Sequence, residues 1–311
     1  MTDTIKKEKR VLKGKYKDLI FYCIMMAYPI LQFCIFYIGV NANSFLLAFQ
    51  KIDALTGKTV AWSFDELVGA FELMTSPTLL MTLKMSLQSY AILTSISIPL
   101  ALFFSYYIYK KMPMANAFKV ILFVPSIVSG IVMVSMYRFF LGEAVPDLIR
   151  TFTGVKSSFR LLDMPETRYG AILFFNIWSG FGTGILMYSN AMSGISTEIV
   201  ESAHLDGATG FREFWHITLP LVYPTLSTFL ITGVAGIFGN QLALFSFYGD
   251  QAKVELWTYG YYLYKETLRV SSMGRQEYPR LSAMGMVLTV VVIPTTFLVR
   301  YLLEKLGPSQ D

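Results

Sequence analysis

Six long stretches of this chain carry almost no charge, and that constrains its fold more than any other feature. The first, Leu19 to Val40, holds no Asp, Glu, Lys or Arg. About twenty such residues in a helix cover the hydrocarbon thickness of a bilayer, and a charge at the helix centre costs about 2.5–3.5 kcal/mol on insertion scales. Only 15% of the 311 residues are charged and 54% are apolar, whereas a soluble domain carries about a quarter charged residues. The sequence therefore predicts an all-α membrane protein with six spans, at about 19–40, 85–109, 120–141, 169–192, 220–248 and 281–302.

The polar segments give order to these spans. Residues 1–18 form a basic tail with Lys6, Lys7, Lys9, Arg10, Lys13, Lys15 and Lys17. They hold most of the chain's net charge of +5 and read as an anchor drawn to anionic lipid, not as a nucleic-acid surface. No cleavage pattern follows, so the first run is expected to stay as a span, kinked at Pro29. Cys23 and Cys34, about 16 Å apart along one helix, are too distant for a disulfide. Residues 41–83 are too polar to span and are expected to hold a short helix near Phe64 to Leu73. Pro99 lies within the second span, Pro125 and Gly130 within the third, and Pro294 within the sixth. Residues 110–119 form a short basic loop and 142–168 a polar loop. Glu255 to Leu268, rich in Trp and Tyr, is expected to lie at a membrane interface. Residues 307–311 are a short tail. An even span count and the basic tail place both termini in the cytosol.

Between the fourth and fifth spans lies Ile195 to Pro220, ISTEIVESAHLDGATGFREFWHITLP. It is acidic, with Glu198, Glu201, Asp206 and Glu213 against Arg212, and contains both histidines. Helical spacing puts Ile199, Val200 and Ala203 on one face of a helix over 197–205. Asp206-Gly207 stops it, because glycine takes the left-handed conformation without steric penalty. Thr209 is expected to cap a second short helix with Phe211, Phe214 and Trp215 on one face. Leu219-Pro220 then ends that turn and opens the fifth span.

Glu201-Ser202-Ala203, Gly207 and Ile217-Thr218-Leu219-Pro220 resemble the EAA signature of ABC importer permeases, with every spacing kept and Ser202 in place of the usual alanine. Leu205-Asp206-Gly207-Ala208 is similar to the carbohydrate-transporting branch. The resemblance implies a type I importer permease architecture with cytosolic coupling helices. It further implies a second homologous permease, two ABC ATPase subunits and an exofacial substrate-binding protein as partners, besides the lipid bilayer. ATP and Mg would belong to the ATPase subunits, and no cofactor is expected in this chain. Glu201 inherits the contact to the ATPase, Gly207 the sharp turn, and Phe211, Phe214 and Trp215 the filling of its groove. Burial against the chain's own helices is the competing role for these aromatics, Trp215 above all. His204 and His216, with no cysteine near, read as polar contacts and not as a metal site.

A solute pathway needs polar groups facing a cavity near the middle of the membrane. Asn176, Trp178, Gly180, Thr183, Gly236, Asn240 and Gln241 are the candidates, with Gly180, Thr183, Gly236 and Asn240 at positions that line the sugar site in maltose-type permeases. Helix–helix hydrogen bonding is the competing role for each. The glycines of Gly180-Phe181-Gly182-Thr183-Gly184 lie inside a span, so close helix packing explains them better than nucleotide binding. No nucleotide-binding loop, nucleophile–base pair or metal cluster occurs, so an enzyme is not expected. The reading is a sugar or oligosaccharide permease subunit. A permease for a polyamine or peptide is the nearest alternative. A self-powered secondary transporter is a more distant one, because paired intramembrane acids or bases are missing from the six cores.

Overall fold

In the computed structural model, residues 2–53, 59–154, 160–273 and 277–308 are described. Contacts divide the chain into two units, Met1–Phe71 with Val270–Val287 and Glu72–Arg269 with Leu288–Asp311.

In the first unit, α1 (Thr2–Gln32) continues through a widened turn, Phe33–Gly39, into α2 (Val40–Leu47). The helix thus runs well past Val40. Pro29 has no N–H to offer the carbonyl one turn back, and the ladder widens from Phe33 onward. Every residue from Tyr16 to Leu46 is exposed. A helix that is apolar all round is at home only in lipid or against another apolar surface. A short antiparallel hairpin follows, β1 (Gln50–Ile52) with β2 (Thr59–Trp62), pairing Gln50 with Trp62. This hairpin departs from an all-helical reading. The expected short helix is α3 (Asp65–Met74), whose approach is fixed by Phe64 against Phe49 at 5.4 Å.

The second unit contains α4 (Pro77–Tyr109), which begins well before Met85. Ser76 Oγ accepts from the Leu79 N–H, and Pro77 occupies the first turn, where its missing N–H costs nothing. The third span is not one straight helix. It divides into α5 (Ala115–Ile127) and α6 (Gly130–Phe139), with a bend of 102° between α5 and the helical run that starts at Gly130. Val128 and Ser129 are both extended, with ψ of 143° and 130°, so the bend lies beyond Pro125 and not at it. From α6 the chain passes through a widened turn, Phe140–Ala144, into α7 (Val145–Thr153), where the sequence suggests a loop. Next comes α8 (Pro165–Ser193). Gly182 lets α8 lie against α5, since a Cβ there would meet the Leu122 carbonyl oxygen at 2.6 Å.

The remaining elements are α9 (Thr197–Leu205), α10 (Phe211–Glu213) and α11 (Leu219–Ala235). α10 enters α11 through a widened turn at Phe214–Thr218, so Leu219-Pro220 does not end a helix. Pro220 cannot donate to the preceding turn, and the wider turn absorbs that loss inside one continuous rod. The fifth span also falls short of Tyr248. Its helix stops at Ala235, a single tight turn spans Ile237–Gly239, and Asn240 is extended. Leu242 and Ala243 are left-handed, with φ of 51° and 55°, before α12 (Leu244–Tyr248). Each left-handed non-glycine residue costs about 1–2 kcal/mol. Two amides hold the break: Asn240 Oδ1 accepts from the Leu242 N–H at 2.8 Å, and Asn176 Nδ2 donates to the Leu242 carbonyl at 3.1 Å.

The last helices are α13 (Tyr259–Met273) and α14 (Tyr278–Leu306). The aromatic segment does not simply float at an interface, because Tyr259 and Tyr261 are fully buried. The Tyr259 N–H donates to Ser86 Oγ at 2.9 Å, and Gly260 sits against the break in the fifth span. Among the described residues, five helices are long and apolar enough to cross a membrane, and the bent α5–α6 run provides a sixth crossing if it counts as one.

A Cβ at Gly260 would lie 2.6 Å from the Gly239 carbonyl carbon, in backbone that has no side chain to move. Gly260→Ala is therefore expected to destabilise the purified protein by about 1–3 kcal/mol, as overpacking does. Gly285→Ala, with nothing within 4 Å, is the control expected to melt as the parent does. Thermal unfolding in detergent, followed by tryptophan fluorescence, measures both.

Candidate functional site

Two sites emerge in the second unit: an exposed helix–turn–helix and an uncharged cavity among its helices. Ser196 begins the first, its Oγ accepting from the Glu198 N–H at 3.2 Å. α9 ends in a paired closure, with the Gly207 N–H donating to the His204 carbonyl at 3.0 Å and the Ala208 N–H to the Ala203 carbonyl at 2.8 Å. This closure needs a left-handed residue, and Gly207 supplies it with φ of +78°. A second glycine, Gly210, has φ of 57° and ψ of −119°, a region almost closed to other residues. Thr209 does not cap α10 with its side chain, because Gly210 occupies the cap position.

Glu201 and Ser202 are exposed while Ala203 is buried, so serine for alanine at position 202 costs no packing. Asp206 is also exposed; Ile217, Leu219 and Pro220 are half-buried where α11 begins. The aromatic trio divides differently from its spacing alone. Phe211 (79% exposed) and Trp215 (56%) stack on each other with ring centres 6.1 Å apart. Phe214 instead turns inward, edge-on to Tyr106 at 5.0 Å, so burial claims Phe214 and not Trp215. Leu205, at 91% exposed, joins Phe211, Trp215 and Ile199 as apolar surface beside the acids. Apolar side chains this exposed in an acidic loop are the mark of a contact surface.

Beneath this surface Glu213 is fully buried. Its Oε1 lies 2.6 Å from Lys110 Nζ, and its Oε2 accepts from His204 Nε2 at 2.9 Å. Burial alone pushes this carboxyl up, but hydrogen bonds and charge from Lys110 and His204 outweigh it and hold the group below the usual carboxylate value. The Lys110 ammonium also lies over the Tyr106 and Tyr109 rings, at 5.7 and 5.5 Å from their centres. His216 Nδ1 is 3.1 Å from the Arg212 carbonyl. Both histidines thus make internal contacts, and no group of three metal-binding side chains occurs among the described residues.

The cavity has a volume of about 510 Å³. Gly180, Thr183, Gly236 and Asn240 line it, as does Asn176. Trp178 and Gln241 do not. Trp178 packs instead among Tyr137 and Phe175, with centroids at 6.4 and 6.5 Å, in the apolar core that holds α6 against α8. Glycine serves both purposes here, since Gly182 packs against α5 while Gly180 has open space before it.

The richest wall of the cavity was not singled out from sequence. α4 contributes Ser86, Ser89, Tyr90, Thr94 and Ser97. These positions fall on one face at helical spacing, so a polar stripe within an apolar span was the available signal. Tyr90 also closes the α4–α11 contact, donating to the Leu230 carbonyl at 3.3 Å above Gly233. No Asp, Glu, Lys, Arg or His lines the cavity among the described residues. Its walls combine hydroxyls, amides and glycine backbone with apolar side chains such as Leu93, Ile98, Phe229 and Ile237, a mixture of hydrogen-bonding groups and apolar faces.

A helical membrane bundle enclosing such a cavity, with a contact surface displayed at one end, defines the class: a membrane permease. The chain belongs to the family of binding-protein-dependent transport system inner membrane components, which it matches over residues 19–309. It is 26% identical over 274 residues to the arabinooligosaccharides transport system permease protein AraP of Bacillus subtilis (strain 168), covering 85% of this chain and 82% of that one. It is 27% identical over 230 residues to the polygalacturonan/rhamnogalacturonan transport system permease protein YteP of the same organism, covering 70% and 71%. The fold matches a chain of a bacterial ABC transporter involved in the import of the acidic polysaccharide alginate, with a TM-score of 0.76 at 20% identity over 95% of this chain and 99% of that one.

The cavity assignment predicts a pattern of reactivity. With Cys23 and Cys34, both exposed, replaced by serine, Thr94→Cys and Thr183→Cys are expected to react with N-ethylmaleimide at least tenfold faster than Ile172→Cys, which is fully buried in the core. Equal rates at all three positions would show that no such cavity opens to solvent.

Proposed function

We propose that this chain is the membrane subunit of an ABC importer that carries a carbohydrate by alternating access. The uncharged cavity, with hydroxyls and amides set among apolar side chains, carries the reading, because sugars offer hydroxyls to hydrogen-bond and apolar ring faces to pack. The names of its relatives, all for saccharide transport in the cases above, support it. A polyamine would call for carboxylates in the cavity, and a peptide for charged or amphipathic partners at its ends. A transporter driven by ion gradients would place ionisable groups on the pathway.

On this reading ATP hydrolysis, with its Mg, belongs to two separate ABC ATPases. They dock on the loop through Glu201, Leu205, Phe211 and Trp215, with both termini on the same, cytosolic side. A second permease completes the pathway, and an exofacial binding protein delivers the solute. One solved relative of the fold is a complex with an alginate pentasaccharide-bound periplasmic protein, an assembly of that kind.

Two experiments test this. Thr94→Leu combined with Thr183→Leu fills the cavity with apolar side chains and is expected to lower uptake of neutral oligosaccharides at least tenfold while the complex still assembles. Unchanged uptake across a panel of such solutes would remove the cavity from the pathway. At the loop, Gly207→Val forces a β-branched residue toward the left-handed region, at a cost of about 1–2 kcal/mol or more, and Glu201→Ala removes an exposed charge available to a partner. Both are expected to reach normal membrane levels and to lose ATPase association on co-purification. A double variant that retains its ATPase would exclude the loop as the docking site.

A further inference from the structure

In the Lys110–Glu213–His204 cluster a fully buried carboxylate joins two short helices of the loop to the distant C-terminal end of α4. His204 is on α9, at the contact surface. Glu213 is on α10, which continues into α11. Lys110 caps α4, whose other turns carry Ser86, Ser89, Tyr90, Thr94 and Ser97 into the cavity. α4 has no direct chain connection to the loop. It is held to it by the 2.6 Å ion pair, by Tyr106 donating to the Gly210 carbonyl at 2.9 Å, and by the Tyr106–Phe214 contact. Leu205, Phe211 and Trp215 are exposed, and Phe211 and Trp215 both lean on Phe214, the ring that packs against Tyr106 of α4.

We propose that Glu213, with Lys110 and His204, is a positioning link that passes movement of the loop to the cavity by way of α4. It rests on the reading of the loop as the ATPase-docking site. The physical reason is stiffness. A packed, charge-paired joint between rigid helices moves as one body, whereas an exposed contact yields. The covalent route through α11 carries displacement to Gly233, Gly236 and Asn240. Without the buried pair, the hydroxyl wall on α4 is free to lag behind.

The test uses the complex purified through a tag on this chain, with Cys23 and Cys34 replaced by serine and a Thr94→Cys reporter in the cavity. The rate of N-ethylmaleimide reaction is compared without nucleotide and after trapping with ATP and vanadate. The parent is expected to change rate at least fivefold between the two states. Lys110→Met with Glu213→Gln removes both charges, so no lone charge is left buried to unfold the protein. That variant is expected to keep its ATPase and its basal hydrolysis but to lose the change in rate. Lys110→Arg, which keeps the pair, is expected to retain it. A full change in rate in the doubly neutral variant overturns the link. A parent that binds no ATPase, or whose reporter ignores nucleotide, overturns the reading of the loop itself and the link with it.

Discussion

Inside a bilayer every backbone N–H and C=O must find its partner within the protein, because hydrocarbon offers none. The whole chain is arranged around that obligation. Where the helices are unbroken it is met locally, and apolar side chains alone decide the path. Where the helix stops, other groups have to take over. At the end of the fifth span, Asn240 satisfies the Leu242 N–H and Asn176 the Leu242 carbonyl. At the start of α13, Ser86 satisfies the Tyr259 N–H. These three side chains border the cavity, so the groups that repair the broken backbone also shape that space.

The loop at residues 195–220 follows a different rule. There the chain leaves the apolar phase, and a charge can be retained if it is paired. Among the described residues, Glu213 is the one fully buried acid. Removing one partner of such a pair costs about 3–5 kcal/mol, mostly because the other charge is left without compensation. The turn above it is set by two glycines in conformations other residues avoid, Gly207 and Gly210. Rigid below and apolar above, the loop presents Leu205, Phe211 and Trp215 on a firm base.

What could be read from sequence divides along the same line. Turn chemistry is local, so the helix over 197–205 and the left-handed Gly207 were legible in a few residues. The spans were legible because charge is excluded from them. Their breaks were not. Gly236 to Ala243 contains neither proline nor charge, and although Gly236, Gly239 and, beside Val128-Ser129, Gly130 are weak helix formers, glycines at helix-packing contacts look the same in a sequence, so a broken helix is not told from a continuous one. The inward turn of Phe214 depends on Tyr106, more than a hundred residues away, and no spacing within the loop reveals it. The hydroxyl stripe of α4 was present in the sequence but is diluted in a helix that also buries serines for packing, such as Ser105 against the Ile185 carbonyl at 3.0 Å.

The neutral lining of the cavity bears on energy as well as on recognition. Across a membrane potential, one elementary charge moved through the field is worth about 2.3 kcal/mol per 100 mV. Rearranging hydroxyls, amides and glycine backbone moves no such charge. The lining of this cavity therefore gives the membrane field no charge to act on.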